Sequence, residues 1–460
     1  MTALASVAQD RPGPTLRAAA LVAQSRFEDL PEQVVELAKQ CILDTIGVTI
    51  AGAHEPVSKI VLEQALSDGG TPQATVIGRD CRLPLRAASL VNGTFGHALD
   101  YDDCNLSMNG HVSVVVLPAV LAAAEKVGAS GRDVINAFVA GFETACRVGQ
   151  TVAPAHYDRG FHATGTIGAF ASAAGASRMM GFDMERTANA FGIAGTMAAA
   201  LKGLFGTMCK PFHAGRAAEN GLYAALLSAQ GMQARPDVLE CRQGFGAAFA
   251  PEFFPDGVES APPRGADFHI RNNLFKYHAA CYGTHGAIEC GRLLAEQVKD
   301  PSQIRRLVLE VAVENDKTCN IQTPDKASEA RFSLRHCVGM TIAGLDTGDA
   351  EAYGAHSLAN SQVSALREKT EVVLVPGLDI AHSRLSADMA DGTRVQVERD
   401  ATIPETNLPL QRQRLLSKFD MLLIPVIGKD HALQVKDAIL NLEQMEDIAT
   451  LMRLCTRKGQ

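Results

Sequence analysis

The stretch Gly96-His97-Ala98-Leu99-Asp100-Tyr101-Asp102-Asp103-Cys104-Asn105, running on to Asn109-Gly110-His111, places three carboxylates and two imidazoles directly before a long apolar run, Val112 to Ala124. Carboxylates are costly to bury unless paired, hydrogen-bonded or ligated. A charged cluster joined to an apolar segment therefore requires a metal site, an acid/base site or a structural network. Asp100, Asp102, Asp103 and His111 have the chemistry for a divalent metal, while Asp102 and Asp103 taken singly also suit helix caps. The run that follows reads as a buried helix, and Leu83 to His97 reads as a helix delivering its C-terminal end to the cluster. Helices meeting at a polar centre is the organisation that the flanking segments repeat.

Upstream, residues 1 to about 12 read as a frayed terminus. Helices are expected over Thr15–Ser25, from Pro31 with an apolar stripe through Val34, Leu37, Cys41 and Ile46, and over Val57–Leu66, before a short extended insert at Ala74–Gly78. Downstream, helices are expected over Val112–Val127, Val134–Val152, from Gly160 to Met180, over Met184–Leu201, and over Phe212–Gln230.

The character changes near residue 265. Leu307, Leu309, Val311 and Val313 alternate as in a half-buried strand, and Glu371–Val375, Arg384–Met389 and Arg394–Arg399 are further strand candidates, with a turn at Asp391-Gly392. Helices Gly283–Gln297 and Ala327–Leu345 lie among them. From Pro404 the pattern is helical again, over Leu410–Leu422, His431–Gln444 and Met445–Cys455. The expected fold is mainly α with an α+β second domain: residues 13–265 and 404–460 helical, residues 266–403 α+β.

The totals set bounds. A chain of 460 residues with 47% hydrophobic and 20% charged residues is an ordinary globular one, and a net charge of −8 argues against a nucleic-acid partner. The 11 cysteines form no C-x-x-C pair, and the first dozen residues lack the apolar core of a secretory signal, so the expectation is reduced thiols in a cytoplasmic protein. The longest apolar run contains Pro118 and is too short to span a bilayer. With no Trp and 40 Gly, the helices must pack through small residues.

Three more stretches gather groups that a small-anion site would use. Gly160-Phe161-His162 puts a histidine at a helix start, where the macrodipole disfavours imidazolium and leaves a neutral base. Lys210-Pro211-Phe212-His213 puts Pro211 at the first helical position and Lys210 at the cap, where its pKa is pushed toward neutrality and free N–H groups can hold a carboxylate. Phe275 to His285 lies at the junction of the two regions and offers Lys276 and, at or just inside a helix, His285. Each also has a bland reading as a packed histidine or a solvated lysine. No dinucleotide fingerprint, Walker loop or nucleophile elbow is present. Asp100-Tyr101-Asp102-Asp103 matches the acidic motif of terpenoid cyclases, but a Trp-free chain with few Phe is poorly equipped to steady carbocations.

The ordered set resembles the MmgE/PrpD family, which includes 2-methylcitrate dehydratases, cis-aconitate decarboxylases and iminodisuccinate epimerases. It rests on Cys41 to Gly47, His97 to Asp103 with His111, Gly160-Phe161-His162, Lys210 to Gly215, Lys276 to His285, and Glu329 to Ser333. The resemblance implies a discontinuous helical domain with an inserted α+β lid, a cofactor-free, metal-free site in the cleft, and a homodimer. By the family pattern Asp100, His111, His162, Lys210 and Lys276 are the catalytic groups, and Lys210, Lys276, His285, Cys281 and Cys104 contact the substrate. Animal-type cis-aconitate decarboxylases carry a His where this chain has Cys281 and a Thr where Cys104 aligns, which favours dehydration or epimerisation over decarboxylation. The expectation is a lyase that dehydrates a small hydroxylated di- or tricarboxylate, with epimerisation next to a carboxylate as the alternative. A non-catalytic helical scaffold is the third reading.

Overall fold

The structure, a computed structural model, describes residues 11–456. Most of the segment expected to fray, and most of the stretch searched for a secretory signal, fall outside these residues. The fold is mainly α with an α+β second unit: one compact unit holds residues up to Asn273 together with Leu422 onward, and the other spans Leu274–Met421. Among the described residues no helix is long and apolar enough to cross a membrane.

The first unit is built from α1 (Pro14–Gln24), α2 (Glu32–Gly52), α3 (Pro56–Asp68), α4 (Leu85–His97), α5 (Ser113–Val127), α6 (Gly131–Val152), the short α7 (Ala155–Asp158), α8 (Ala163–Met179), α9 (Met184–Met197) and α10 (Cys209–Ala229). Proline stands at the start of α1 and α3, where its missing N–H is not needed. A reciprocal Ser130–Asp133 capping box opens α6.

Helix α8 is the central element, packed against α5, α6, α9 and α10. It is buried all round from Ala163 to Ser177, and its Ala, Gly, Ser and Thr residues let backbones approach closely. At the crossing of α8 and α10, a Cβ on Gly221 would sit 2.4 Å from the Ala173 nitrogen. At the crossing of α10 and α4, one on Gly215 would sit 2.3 Å from the Leu90 carbonyl oxygen. Only glycine fits at either place.

The C-terminal segment returns to this unit. Lys39 Nζ donates to Leu440 O at 2.9 Å and pairs with Glu443, Gly131 N–H donates to Met445 O, and Gly78 N–H donates to Cys455 O.

In the second unit the strands lie in the order Thr370–Val375, Ile304–Ala312, His382–Met389, Arg394–Asp400, the first pair parallel and the others antiparallel. Leu309 stands beside Val372 on one side and Leu385 on the other. Leu307, Leu309 and Val311 are wholly buried against helices His285–Gln297, Leu334–Ile342 and Ser361–Lys369.

Several expected boundaries move, each for a local reason. The helix expected to reach Leu201 ends at Met197, because Ala200 O accepts from His162 N–H and Lys202 N–H donates to Gly160 O. The helix expected over Ala327–Leu345 breaks between Ala330 and Leu334, where Ser333 bridges to Asn320 and its hydroxyl caps the following helix. Val313, expected in the strand alternation, lies beyond its end and is exposed.

Candidate active site

The opening stretch leaves α4 at its last residue, His97, and crosses to α5 through a tight turn. Asp100 has φ +51°, a left-handed conformation that costs a non-glycine residue free energy but that Asp tolerates better than most. Asn109, also left-handed, closes the turn in which Asn105 N–H donates to Gly110 O. The next residue, His111, is tied to α8 by its backbone N–H, which donates to Thr164 Oγ1 at 3.0 Å.

The two buried aspartates differ in kind. Asp103 accepts from the Ser113 hydroxyl and, at 3.3 Å, from the Ser113 N–H at the head of α5, and from Asn273 Nδ2 at 2.7 Å. Burial pushes its carboxyl up to about 6 against those hydrogen bonds. These bonds tie it to Ser113, the first residue of α5. Asp102 is bridged between two imidazoles, with His97 Nδ1 at 2.8 Å from Oδ1 and His111 Nδ1 at 3.0 Å from Oδ2. Burial disfavours its charge, but the two histidines together more than offset this and hold it well below the usual carboxylate range.

The tautomers follow from the acceptors. His111 Nδ1 lies 2.9 Å from Asp103 O as well as beside Asp102, both acceptors only, so it carries the proton. In the neutral ring the lone pair is then on Nε2. That atom lies 3.8 Å from Asp100 Oδ1, while Asp100 Oδ2 lies 2.7 Å from Lys210 Nζ.

His162 is the N-cap residue of α8, as expected, and its Nδ1 lies 3.1 Å from His213 Nδ1 of α10. One ring donates and the other accepts. His162 is held well below the usual imidazole range, first by burial and then by the neighbouring His97, Lys210, His111 and His213. Its neutrality thus comes chiefly from desolvation rather than from the helix terminus invoked above. Burial likewise lowers His213 and takes His97 down to about 4. The Phe205 ring stands edge-on to His162 at 4.8 Å, with Lys210 Nζ 5.3 Å from its centroid.

Lys210 is displaced from its expected place. Helix α10 starts at Cys209 with Met208 as its cap, so Lys210 lies inside the first turn and its N–H is already donated to Thr207 O. Its contribution is the ammonium rather than free backbone donors.

Of the expected site residues, Asp100, His111, His162 and Lys210 thus meet in the first unit, and Cys104 is buried nearby in the chain, within the short strand Cys104–Asn105. Lys276, Cys281 and His285 belong to the second unit. Lys276 is buried at 2% exposure, and His285, the first residue of helix His285–Gln297, is held neutral by burial with His278 and Lys276 adding to the effect. Nearby, His278 Nε2 lies 3.2 Å from Glu289, a carboxylate also held by Arg414 and Arg292. Cys281 is half-buried and its N–H donates to Arg331 O.

His97 and His213 were not nominated from sequence. His213 lies three residues after Lys210 on the same helix, a spacing that places both on one face. Asp102's role required its partners to be seen. The residues able to hold a metal are His97, Asp100, Asp102 and His111, each offering a ligand atom within 4.8 Å of the others. His97 stands where the sequence reading had Asp103, which its bonds to Ser113 and Asn273 occupy. Lys210 competes for Asp100, and His97 Nδ1 already bonds Asp102 Oδ1, with His111 Nδ1 standing 3.0 Å from Oδ2.

Among known proteins, the chain matches the MmgE/PrpD N-terminal domain over residues 17–256 and the MmgE/PrpD C-terminal domain over residues 278–444. It is 28% identical over 442 residues to a cis-aconitate decarboxylase of Homo sapiens, covering 92% of this chain and 91% of that one. It is 28% identical over 453 residues to that of Mus musculus, covering 93% and 90%. To a cis-aconitate decarboxylase of Aspergillus terreus it is 26% identical over 460 residues, covering 93% and 92%. With both domain models matched in order along the sequence, and with the histidine–aspartate–lysine cluster inside the first, the chain belongs to the MmgE/PrpD family.

Proposed function

We propose that this protein is a carbon–oxygen lyase that removes water from a small hydroxylated di- or tricarboxylate of the 2-methylcitrate kind, using its own imidazoles to move protons. The observation that carries the reading is the fixed tautomer of His111, whose Nε2 lone pair lies beside the Asp100–Lys210 ion pair. A base next to a cation is what abstraction of a proton adjacent to a carboxylate requires.

In this scheme His111 Nε2 takes the proton from the carbon next to a carboxylate. The C–H electron pair becomes the new double bond, and the C–O pair leaves with the hydroxyl group. Negative charge building on the adjacent carboxylate is countered by the Lys210 ammonium. The departing hydroxide takes a proton, either from the imidazolium or relayed through Asp100, and leaves as water. His162 and His213, both neutral, offer a donor or acceptor without adding repulsive charge. Substrate contact by Lys276, His285, Cys281 and Cys104 is part of the same proposal.

A second reading, decarboxylation of an unsaturated tricarboxylate, is favoured by what the similar human and Aspergillus terreus proteins are named for. There the electron pair released by carbon dioxide loss is taken up by a proton delivered from an imidazolium. Proton NMR of the purified protein with 2-methylcitrate, citrate, cis-aconitate and amino-polycarboxylates in deuterated water separates the readings. A dehydratase gives a new olefinic signal from a hydroxy acid. A decarboxylase converts cis-aconitate to a five-carbon diacid, and an epimerase exchanges the α-proton with no loss of water. No change in any substrate refutes the lyase reading.

A further inference from the structure

We propose that His97 is a positioning residue for His111, acting through the carboxylate of Asp102 that the two rings share. The inference rests on the proposed role of His111 as the base. His97 ends α4 with a side chain that is wholly buried, and its Nδ1 lies 2.8 Å from Asp102 Oδ1, leaving Oδ2 for His111 Nδ1 at 3.0 Å. The rings of His97 and His111 lie 4.4 Å apart between centroids, tilted by 59°.

Asp102 has to remain an anion while wholly buried. When His111 is neutral, that anion needs a second donor, and His97 Nδ1–H is the one facing it. When His111 takes a proton, the same anion balances the new charge at Nδ1 and keeps the ring from turning. A buried carboxylate that orients an imidazole and offsets its charge is a recurrent solution in acid/base sites.

His97 itself is suited to donate and not to ionise. Its Nε2 is buried and has no hydrogen-bond partner among the described residues. A second proton there would be unsatisfied and would face His111, His162 at 6.1 Å between ring centroids, and the Lys210 charge. The nearby anions are Asp102, already bonded to it, and Asp100, already paired with Lys210. His97 is thus a neutral, permanent donor, two bonds removed from the substrate.

The test replaces His97 by Asn, whose amide can donate from near the Nδ1 position, and by Leu and Met, which cannot donate. Two donor-free variants are used so that loss of fold in one, seen by circular dichroism, leaves the other. The first readout needs no substrate: long-range 15N–1H spectra of histidine-labelled protein, with His111 assigned from His111→Gln. The inference predicts an Nδ1–H tautomer for His111 in the native protein and in His97→Asn. In the donor-free variant Asp102 takes up a proton, Asp103 O is left as the one acceptor-only partner of His111 Nδ1, and an Nε2–H form appears beside the Nδ1–H form. On the substrate found by NMR, kcat in that variant falls about 10- to 100-fold with KM little changed, and His97→Asn recovers most of it. A His111 spectrum showing the Nδ1–H form alone in the donor-free variant, or His97→Asn behaving no better than Leu or Met, overturns the inference. If the spectra behave as predicted while no polycarboxylate is turned over, the positioning role stands and the lyase reading falls.

Discussion

The Lys210 ammonium and the Asp100 carboxylate form an ion pair at 2.7 Å, with the aspartate in a left-handed backbone conformation. The pair joins the first turn of α10 to the turn between α4 and α5, and the other oxygen of the same carboxylate lies 3.8 Å from His111 Nε2. Asp100 is 34% exposed in its side chain, so the pair contributes little to stability and its value lies in placement.

Asp100→Asn keeps the shape and the tolerance of positive φ but removes the charge. We predict a fall in kcat/KM on the order of 10²-fold, with a melting temperature close to native, measured by steady-state kinetics and calorimetry. Lys210→Met should raise KM for every polycarboxylate tried. It should also abolish any thermal stabilisation by citrate-like ligands, an outcome that excludes the scaffold reading if the native protein shows such stabilisation.

Ser113→Ala removes the hydroxyl that donates to Asp103. A buried carboxylate left short of a donor costs about 1–3 kcal/mol, so chemical denaturation should show that loss. The kcat should change far less than in Asp100→Asn, because Asp103 is bonded to the first residue of α5 and is not part of the proton path. A kcat loss equal to that of Asp100→Asn would move Asp103 into the chemistry.

The protein should lose stability in mild acid. His97, His269 and His336 are each lowered by burial from 6.5 to about 4. Between those values the unfolded chain binds protons that the native state refuses, so unfolding is favoured as pH falls, by up to roughly 3 kcal/mol for each such group. Asp103, raised from 3.8 to about 6, has the opposite sign over most of that window, because there the native state binds the extra proton. Glu143, also raised by burial, acts with Asp103, but His156, His162, His213 and His285 are lowered by burial as well, which leaves a net loss. Melting temperature followed from pH 7 to pH 4 should fall, and less steeply in His336→Gln.

Gly221→Ala should strongly destabilise the first unit. Its Cβ would lie 2.4 Å from the Ala173 nitrogen and 2.6 Å from the Ala169 carbonyl oxygen, backbone atoms of α8 that cannot rotate away. Overpacking of this sort costs about 1–3 kcal/mol or more, and the soluble yield and melting temperature read it. Gly203→Ala, at a position with open space around it, is the control.

The fold class was legible because periodicity and composition act over whole segments. The helical stripes upstream of residue 265, the alternation of Leu307, Leu309 and Val311, and the Asp391-Gly392 turn all follow from which side chains must be buried. Helix ends were less legible where a segment distant in sequence decides them. Nothing near Met197 in sequence reports that Ala200 and Lys202 pair with the backbone around His162. In the candidate site, the residue types of Asp100, His111, His162 and Lys210 were visible as isolated oddities in apolar surroundings. The division of labour between Asp102 and Asp103 was not, since it depends on His97 on one side and on Ser113 and Asn273 on the other. Adjacent carboxylates point in different directions, and sequence does not say which partner each finds.

The base assignment is tested most directly by His111→Gln, compared with the native protein by proton NMR in deuterated water over the polycarboxylate panel. The account predicts turnover by the native protein and a loss of about 10²- to 10⁴-fold in kcat for the variant, with its circular dichroism unchanged. A folded variant that turns over the same substrate at the native rate would contradict it.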